Sequence, residues 1–190
     1  MSGQVSRGGP DPVEAGNAAR IAIVTVSDKG SRGEREDKSA LAIKELITEI
    51  EVPLGEIVSY SLVPDERDVI SAELTRLCDE LAVDLIITTG GTGFGPRDVT
   101  PEATLDVIDR QVPGLTETMR IEGLKYTPKA MLSRAVSGIR GNTLIVNLPG
   151  SPKGVRENLQ IILPALPHGI DILRGIASEC GSPHEQLNRS

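Results

Sequence analysis

The chain has 190 residues but no tryptophan, one phenylalanine and two tyrosines, so it lacks the aromatic faces on which unpaired bases stack. Lysine and arginine, 20 in all, are outnumbered by 27 aspartates and glutamates, for a formal charge of -7. That balance argues against a general nucleic-acid surface, whose affinity comes from cations set against phosphates. No apolar run approaches the roughly 20 residues of a membrane-spanning helix, so no membrane association is expected. The two cysteines, Cys78 and Cys180, are too few for a disulfide framework. Cys78 falls on the apolar face of a predicted helix, which points to reduced thiols and a cytoplasmic protein. The first 20 residues lack the apolar segment of a secretory signal. His168 and His184 have neither a second histidine nor a Cys-x-x-Cys pair nearby, so no zinc site is expected. Ser151 is not in a Gly-x-Ser-x-Gly elbow, which argues against a serine hydrolase.

What the chain does have is a glycine-rich centre. Asp84-Leu85-Ile86-Ile87 reads as a buried strand, and Thr88-Thr89-Gly90-Gly91-Thr92-Gly93-Phe94-Gly95 follows it directly. Pro96-Arg97-Asp98-Val99 then leads to Thr100-Pro101-Glu102, where Thr100 is the expected helix cap and Pro101 the first helical residue. Glycines turn backbone N–H groups toward a ligand without side-chain obstruction, and a helix start adds unpaired donors. The stretch therefore reads as a phosphate-binding loop with a carboxylate available for a metal. It is no Walker A loop, since Gly-Lys-Ser/Thr is missing. It is no dinucleotide fingerprint either, because Pro96 stands where the third glycine would fall. A strand-to-helix turn without a ligand is the competing reading.

Around this centre, strand and helix patterns alternate. Residues 1–20, rich in Gly, Pro, Ser and Ala, read as a flexible arm. Strands are predicted at 21–26, 56–63 and 84–89. Helical stripes fall on Ile43, Leu46, Ile47 and Ile50, and on Ile70, Leu74, Leu77, Cys78 and Leu81. A helix with Leu105 and Ile108 runs until Pro113-Gly114 breaks it, and short helical pieces are expected at 115–124 and 128–134. Strands at 136–140 and 143–147 join at Gly141-Asn142. After Leu148-Pro149-Gly150-Ser151-Pro152-Lys153-Gly154, a stripe from Val155 to Leu166 is bent or divided by Pro164 and Pro167, before a last helix through about Ala177 and a polar tail at 179–190. The expected fold is one α/β domain at 21–178, a doubly wound, mostly parallel sheet flanked by helices, with an antiparallel edge hairpin.

Such sheets bind ligands outside the carboxyl ends of their strands. Four strand exits qualify: Ser27-Asp28, Pro64-Asp65, the 90–100 loop and the 148–153 loop. Asp65 and Asp98 are candidates for Mg²⁺, which takes few protein oxygens and shares the rest with water and phosphates. Asp65 reads equally as the cap of the helix after it. Arg97 is a candidate for bidentate contact with phosphate or a solvated loop cation, and Lys153 has the same two readings. Asn147 is either a ligand donor or a turn former. Cys78 has no basic neighbour that would make it reactive.

Thr89-Gly90-Gly91-Thr92-Gly93 followed by Pro96-Arg97-Asp98-Val99-Thr100-Pro101-Glu102-Ala103-Thr104 resembles the signature of the molybdenum-cofactor biosynthesis family. That family includes bacterial MogA and MoaB and the G domains of gephyrin and its plant counterpart. Asn147-Leu148-Pro149-Gly150-Ser151-Pro152 is similar to its second signature. Val63-Pro64-Asp65-Glu66, Met131-Leu132-Ser133-Arg134 and Gly138-Ile139-Arg140-Gly141 match as well, so the resemblance runs from Ile21 to Arg174. It implies adenylylation of molybdopterin by Mg-ATP, giving adenylyl-molybdopterin and pyrophosphate. Asp65 and Asp98 would be the essential carboxylates. Gly90, Gly91, Thr92 and Gly93 would hold phosphates, and Asn147, Pro149, Gly150 and Ser151 would border the nucleotide and pterin pockets; Ser27, Asp28, Arg97 and Lys153, candidates from the strand exits and their loops, join the same nucleotide- and pterin-binding set. The resemblance also implies a homotrimer and hand-over of product to a separate molybdate-insertion protein. A MoaB-like paralogue, or a gephyrin-type trimeric scaffold without enzymatic activity, are the alternative readings.

Overall fold

The computed structural model describes residues 18–49 and 54–176. The predicted arm before residue 18, the polar tail at 179–190, Ile50 and Ala177 lie outside them. Six strands form one sheet: β1 (Arg20–Val26), β2 (Glu56–Val63), β3 (Leu85–Thr89), β4 (Arg110–Gln111), β5 (Ser137–Arg140) and β6 (Thr143–Leu148). Their order across the sheet is β2-β1-β3-β6-β5-β4. The first four in that order are mutually parallel, while β5 runs antiparallel to β6 and to β4. The expected mixed sheet with an antiparallel edge is what forms.

Side chains of the central strands alternate between two cores, as the pleat requires. Ile21, Ile23, Leu85, Ile87, Leu144, Val146 and Leu148 face α2 (Lys38–Glu49), α5 (Pro113–Gly123), α6 (Pro152–Ile162) and α7 (Leu166–Leu173). Ala22, Val24, Val26, Ile86 and Ile145 face α3 (Arg67–Asp79) and α4 (Thr100–Val107). Burial on both faces explains why these strands read as continuous apolar runs rather than alternating ones. A one-turn helix, α1 (Asp28–Ser31), follows β1, capped by Ser27, whose hydroxyl accepts the Gly30 N–H.

Four local expectations are corrected. Thr100 is the first residue of α4 rather than its side-chain cap; its hydroxyl instead donates to the Gly90 carbonyl at 2.9 Å. Pro113 opens α5 instead of ending the preceding helix, which stops at Val107. Leu105 is exposed, and Ala103, Thr104 and Val107 form the buried face of α4. The arm ends earlier than residue 20: Ala19 is buried, its carbonyl accepts the Glu56 N–H, and Arg20 already belongs to β1. The turn at Gly141-Asn142 forms as expected, with Gly141 at φ +54°, and a 3₁₀ turn at Leu163–Ala165 divides the last helical stretch at Pro164.

Candidate active site

Parallel pairing decides where the loops go. Val26 is opposite Val63, Thr25 is opposite Thr89, and Thr89 is opposite Leu148. Three of the four exits, after Val26, Val63 and Thr89, therefore leave the same sheet edge side by side, and the fourth, after Leu148, adjoins the third. Between β1 and β3 the chain order reverses, since β1 is followed by β2 on one side and by β3 on the other; a crevice is expected there.

The glycine loop is tied down at each end. Besides its hydroxyl bond to Gly90, Thr100 donates its backbone N–H to the Gly91 carbonyl. Gly90 and Gly91 have φ of +100° and +63°, a region that residues with a Cβ avoid. The 149–151 loop is held against this one: Thr89 Oγ1 donates to the Pro149 carbonyl at 2.8 Å and Ser39 Oγ to the Gly150 carbonyl at 2.7 Å. A Cβ on Gly150 would stand 3.2 Å from the Gly90 Cα. The two loops are in contact although they lie about 60 positions apart in the chain.

Two cavities flank them. The first, about 390 Å³, is lined by Ser27, Asp65, Gly90, Gly91, Gly150 and Ser151, together with Arg35 and Asp37 from the segment before α2 and Lys38, the first residue of α2. Asp37 accepts the N–H groups of Ser39 and Ala40 as the cap of α2, and also accepts the Tyr60 hydroxyl at 2.7 Å. Burial and the Asp37 carboxylate push the Tyr60 hydroxyl up to about 12. The second cavity, about 560 Å³, lies on the other side of the loop pair. Thr92, Gly93, Pro149, Ser151 and Lys153 line it, with Arg120, Tyr126 and Lys129 from α5 and the turn beyond. Ser151 borders both cavities and caps α6 by accepting the Gly154 N–H at 3.1 Å.

Asp65 and Asp98 both lie against the glycine loop. A Cβ on Gly91 would be 3.4 Å from Asp65 Oδ1, and one on Gly93 would be 2.9 Å from Asp98 Oδ2. Asp98 curls back on its own turn, accepting the Gly95 N–H at 2.7 Å. It borders a shallow cleft with Phe94, Glu102 and Arg134 rather than the first cavity. Asp65 is not the cap of α3; Glu66 holds that place, without a side-chain cap bond. Burial pushes the Asp65 carboxyl above its ordinary value, and the nearby charges of Asp28 and Asp98 add to that, while the bond from the Asp28 backbone opposes it. Such a cluster of negative charge favours a cation. Among the described residues no group of three or more His, Cys, Asp or Glu is placed to hold a metal. Mg²⁺ at Asp65 and Asp98 would have to take most of its oxygens from phosphate and water, as that ion commonly does.

Two candidates have internal partners. Arg97 makes a bidentate pair with Asp28, at 3.0 Å and 2.8 Å, and this contact holds the Asp28 carboxyl below its usual range. Asn147 is fully buried and lines neither cavity. Its Oδ1 accepts the Val136 N–H, and its Nδ2 donates to the Thr88 and Thr104 hydroxyls at 2.9 Å each. It knits β6, β3 and α4 together behind the loops. Arg35, Lys38, Arg120 and Lys129 were missed in sequence because single cations in polar segments carry no periodic signal. Their places, between β1 and the start of α2 and in α5 and the turn beyond it, become informative only once the sheet order is known.

The sequence profile described as "Probable molybdopterin binding domain" matches residues 22–168. The molybdopterin adenylyltransferase of Helicobacter pylori strain J99 is 46% identical over 155 residues, covering 82% of this chain and 88% of that protein. The enzyme of the same name from Escherichia coli K12 is 44% identical over 160 residues, covering 84% of this chain and 80% of that protein. The crystal structure of the molybdopterin biosynthesis enzyme MoaB from Thermus thermophilus superposes with a TM-score of 0.77 at 54% identity, covering 83% of this chain and 97% of that one. By profile, by identity and by fold, the chain belongs to the molybdopterin-binding domain family of molybdenum-cofactor biosynthesis.

Proposed function

We propose that this chain is a molybdopterin adenylyltransferase that takes ATP and molybdopterin to adenylyl-molybdopterin and pyrophosphate. The terminal phosphate oxygen of molybdopterin attacks the α-phosphorus of ATP, the bond to the β-phosphate oxygen breaks, and pyrophosphate departs. An already anionic oxygen needs no general base, so the protein's task is to position the two phosphates and offset their charge. The observation that carries this reading is the convergence of Asp65, Gly90, Gly91, Gly150 and Ser151 on one cavity, with a second cavity sharing Ser151 beside it.

In this reading the first cavity takes the nucleotide. Gly90 and Gly91 let the triphosphate approach the backbone, and Arg35 and Lys38 offset its charge. The second takes the pterin, with Arg120, Lys129 and Lys153 around its phosphate. Ser151, at the start of α6, stands where the two substrates meet. Asp65 and Asp98 would hold Mg²⁺, which supplies charge neutralisation at the phosphoryl oxygens. Arg97 orients Asp28, which in turn holds Asp65. A cytoplasmic location and hand-over to a molybdate-insertion protein go with this reading. So does a homotrimer, for which Ile121, Tyr126 and Met131, all more than 60% exposed, offer an apolar contact surface.

The test is to mix the protein with Mg-ATP and molybdopterin and follow pyrophosphate. Release that depends on both substrates is expected; a scaffold or an inactive paralogue would release none.

A further inference from the structure

Arg134 makes contacts that nothing in the proposed chemistry has used. Its backbone N–H donates to the Thr92 carbonyl at 3.0 Å. Its Nε donates to the Gly93 carbonyl at 2.7 Å, its Nη2 to the Asp98 carbonyl, and its Nη1 to Glu102 Oε1. One planar fork thus joins the beginning of the 93–98 turn, its end, and the first turn of α4. No other side chain bonds both ends of that turn among the described residues. Within it, the Asp98 N–H donates to the Gly95 carbonyl and the Gly95 N–H returns to Asp98 Oδ2. The direction of the Asp98 carboxylate therefore depends on a turn whose two ends Arg134 holds at fixed separation.

The anchor is itself well supported. Glu102 Oε2 is buried without a hydrogen-bond partner; burial pushes the Glu102 carboxyl up, and Arg134 with a backbone N–H brings it below its usual value. Removing the guanidinium would strand that carboxylate as well as the Gly93 and Asp98 carbonyls. Arg134 also ends the segment whose Lys129, Leu132 and Ser133 line the second cavity. The fork therefore connects the wall of the second cavity to the turn that carries the Asp98 carboxylate.

We propose that Arg134 is a positioning residue of the adenylyl transfer, fixing the 93–98 turn and through it the Asp98 carboxylate. This rests on the enzymatic reading above. Lysine keeps the charge but not the fork, so it cannot serve Gly93, Asp98 and Glu102 together.

The test compares wild type, Arg134→Lys and Arg134→Ala by amide hydrogen exchange and by steady-state pyrophosphate release, at temperatures where each is fully folded. Exchange at Gly95 and Asp98 should quicken at least ~10-fold in Arg134→Lys while β1 and β3 amides stay protected. The kcat should fall ~10- to 100-fold in Arg134→Lys and further in Arg134→Ala, with KM for ATP changed less than ~3-fold, as expected for a misplaced group rather than lost binding. Unchanged exchange at the turn, or an unchanged kcat in a folded variant, overturns the proposal. If wild type itself releases no pyrophosphate, the enzymatic reading fails, and the exchange data still decide whether Arg134 orders the turn.

Discussion

Asp28 and Asp65 clasp each other across the exits of β1 and β2. The Asp28 N–H donates to Asp65 Oδ2 at 2.7 Å, and the Asp65 N–H returns to Asp28 Oδ1 at 3.1 Å. This exchange fixes Asp65 with one oxygen turned to the glycine loop, at the expense of setting it in a partly buried, negatively charged place. Its raised pKa means the fold holds this proton more tightly than the unfolded chain does. Stability from this group is fully present below the ordinary carboxylate pKa and is lost as pH rises through the raised folded value. Asp65→Asn keeps an acceptor for the Asp28 N–H and removes the charge. Its melting temperature at pH 7 should equal or exceed that of wild type, while pyrophosphate release falls at least ~100-fold. A variant that is both less stable and fully active would contradict this.

Alanine at two glycines should separate folding from function. A Cβ on Gly90 would stand 2.3 Å from the Val26 carbonyl oxygen, a backbone atom that cannot move aside, and φ there is +100°. Gly90→Ala should cost roughly 2–4 kcal/mol in denaturant unfolding. On Gly93 the Cβ would meet only the Asp98 carboxylate, with Oδ2 at 2.9 Å, the end of a side chain. Gly93→Ala should lose less than about 1 kcal/mol, yet lower kcat ~10-fold or more by displacing that carboxylate.

The strand exits were legible because a parallel strand buried on both faces leaves an unbroken apolar run, and glycine or proline marks its end. That is how Thr89 could be placed before any geometry was known; Val26 was marked by the polar Ser27-Asp28 and Val63 by Pro64, while the last strand, expected to end at Asn147, runs one residue further to Leu148. Neither β4 nor the true role of Pro113 was legible. Arg110-Gln111 is polar and exposed, and it becomes a strand only because Gly138 and Ile139 lie opposite. Asn147 showed the limit most clearly. A polar residue closing an apolar strand reads as a ligand donor, and only the nearness of Thr88, Thr104 and Val136 reveals a buried hub.

Asn147→Ala therefore tests structure rather than ligand contact. It would leave the partly buried Val136 N–H and the Thr88 hydroxyl without their Asn147 partner, while the Thr104 hydroxyl keeps its bond to the Thr100 carbonyl, at a cost of about 3 kcal/mol in unfolding free energy. KM for either substrate should stay near wild type in the folded fraction. A large rise in KM with unchanged stability would return Asn147 to the ligand.

Burial pushes the Cys78 thiol up to about 11 from an ordinary value near 9.0. The unfolded chain loses this proton first, so stability from Cys78 is complete below pH 9.0 and declines toward pH 11. Between those values, unfolding titrations should show a falling slope that is reduced in Cys78→Ala. Thiol reagents should modify native Cys78 slowly at about pH 8 and rapidly once the protein unfolds.

The account depends most on Gly90-Gly91 and Gly150-Ser151 gripping one triphosphate beside Asp65. A crystal structure with Mg²⁺ and a non-hydrolysable ATP analogue tests this directly. The phosphates are predicted between those two loops, with the metal facing Asp65 or Asp98. Nucleotide bound elsewhere, with that cavity holding only solvent, would contradict it.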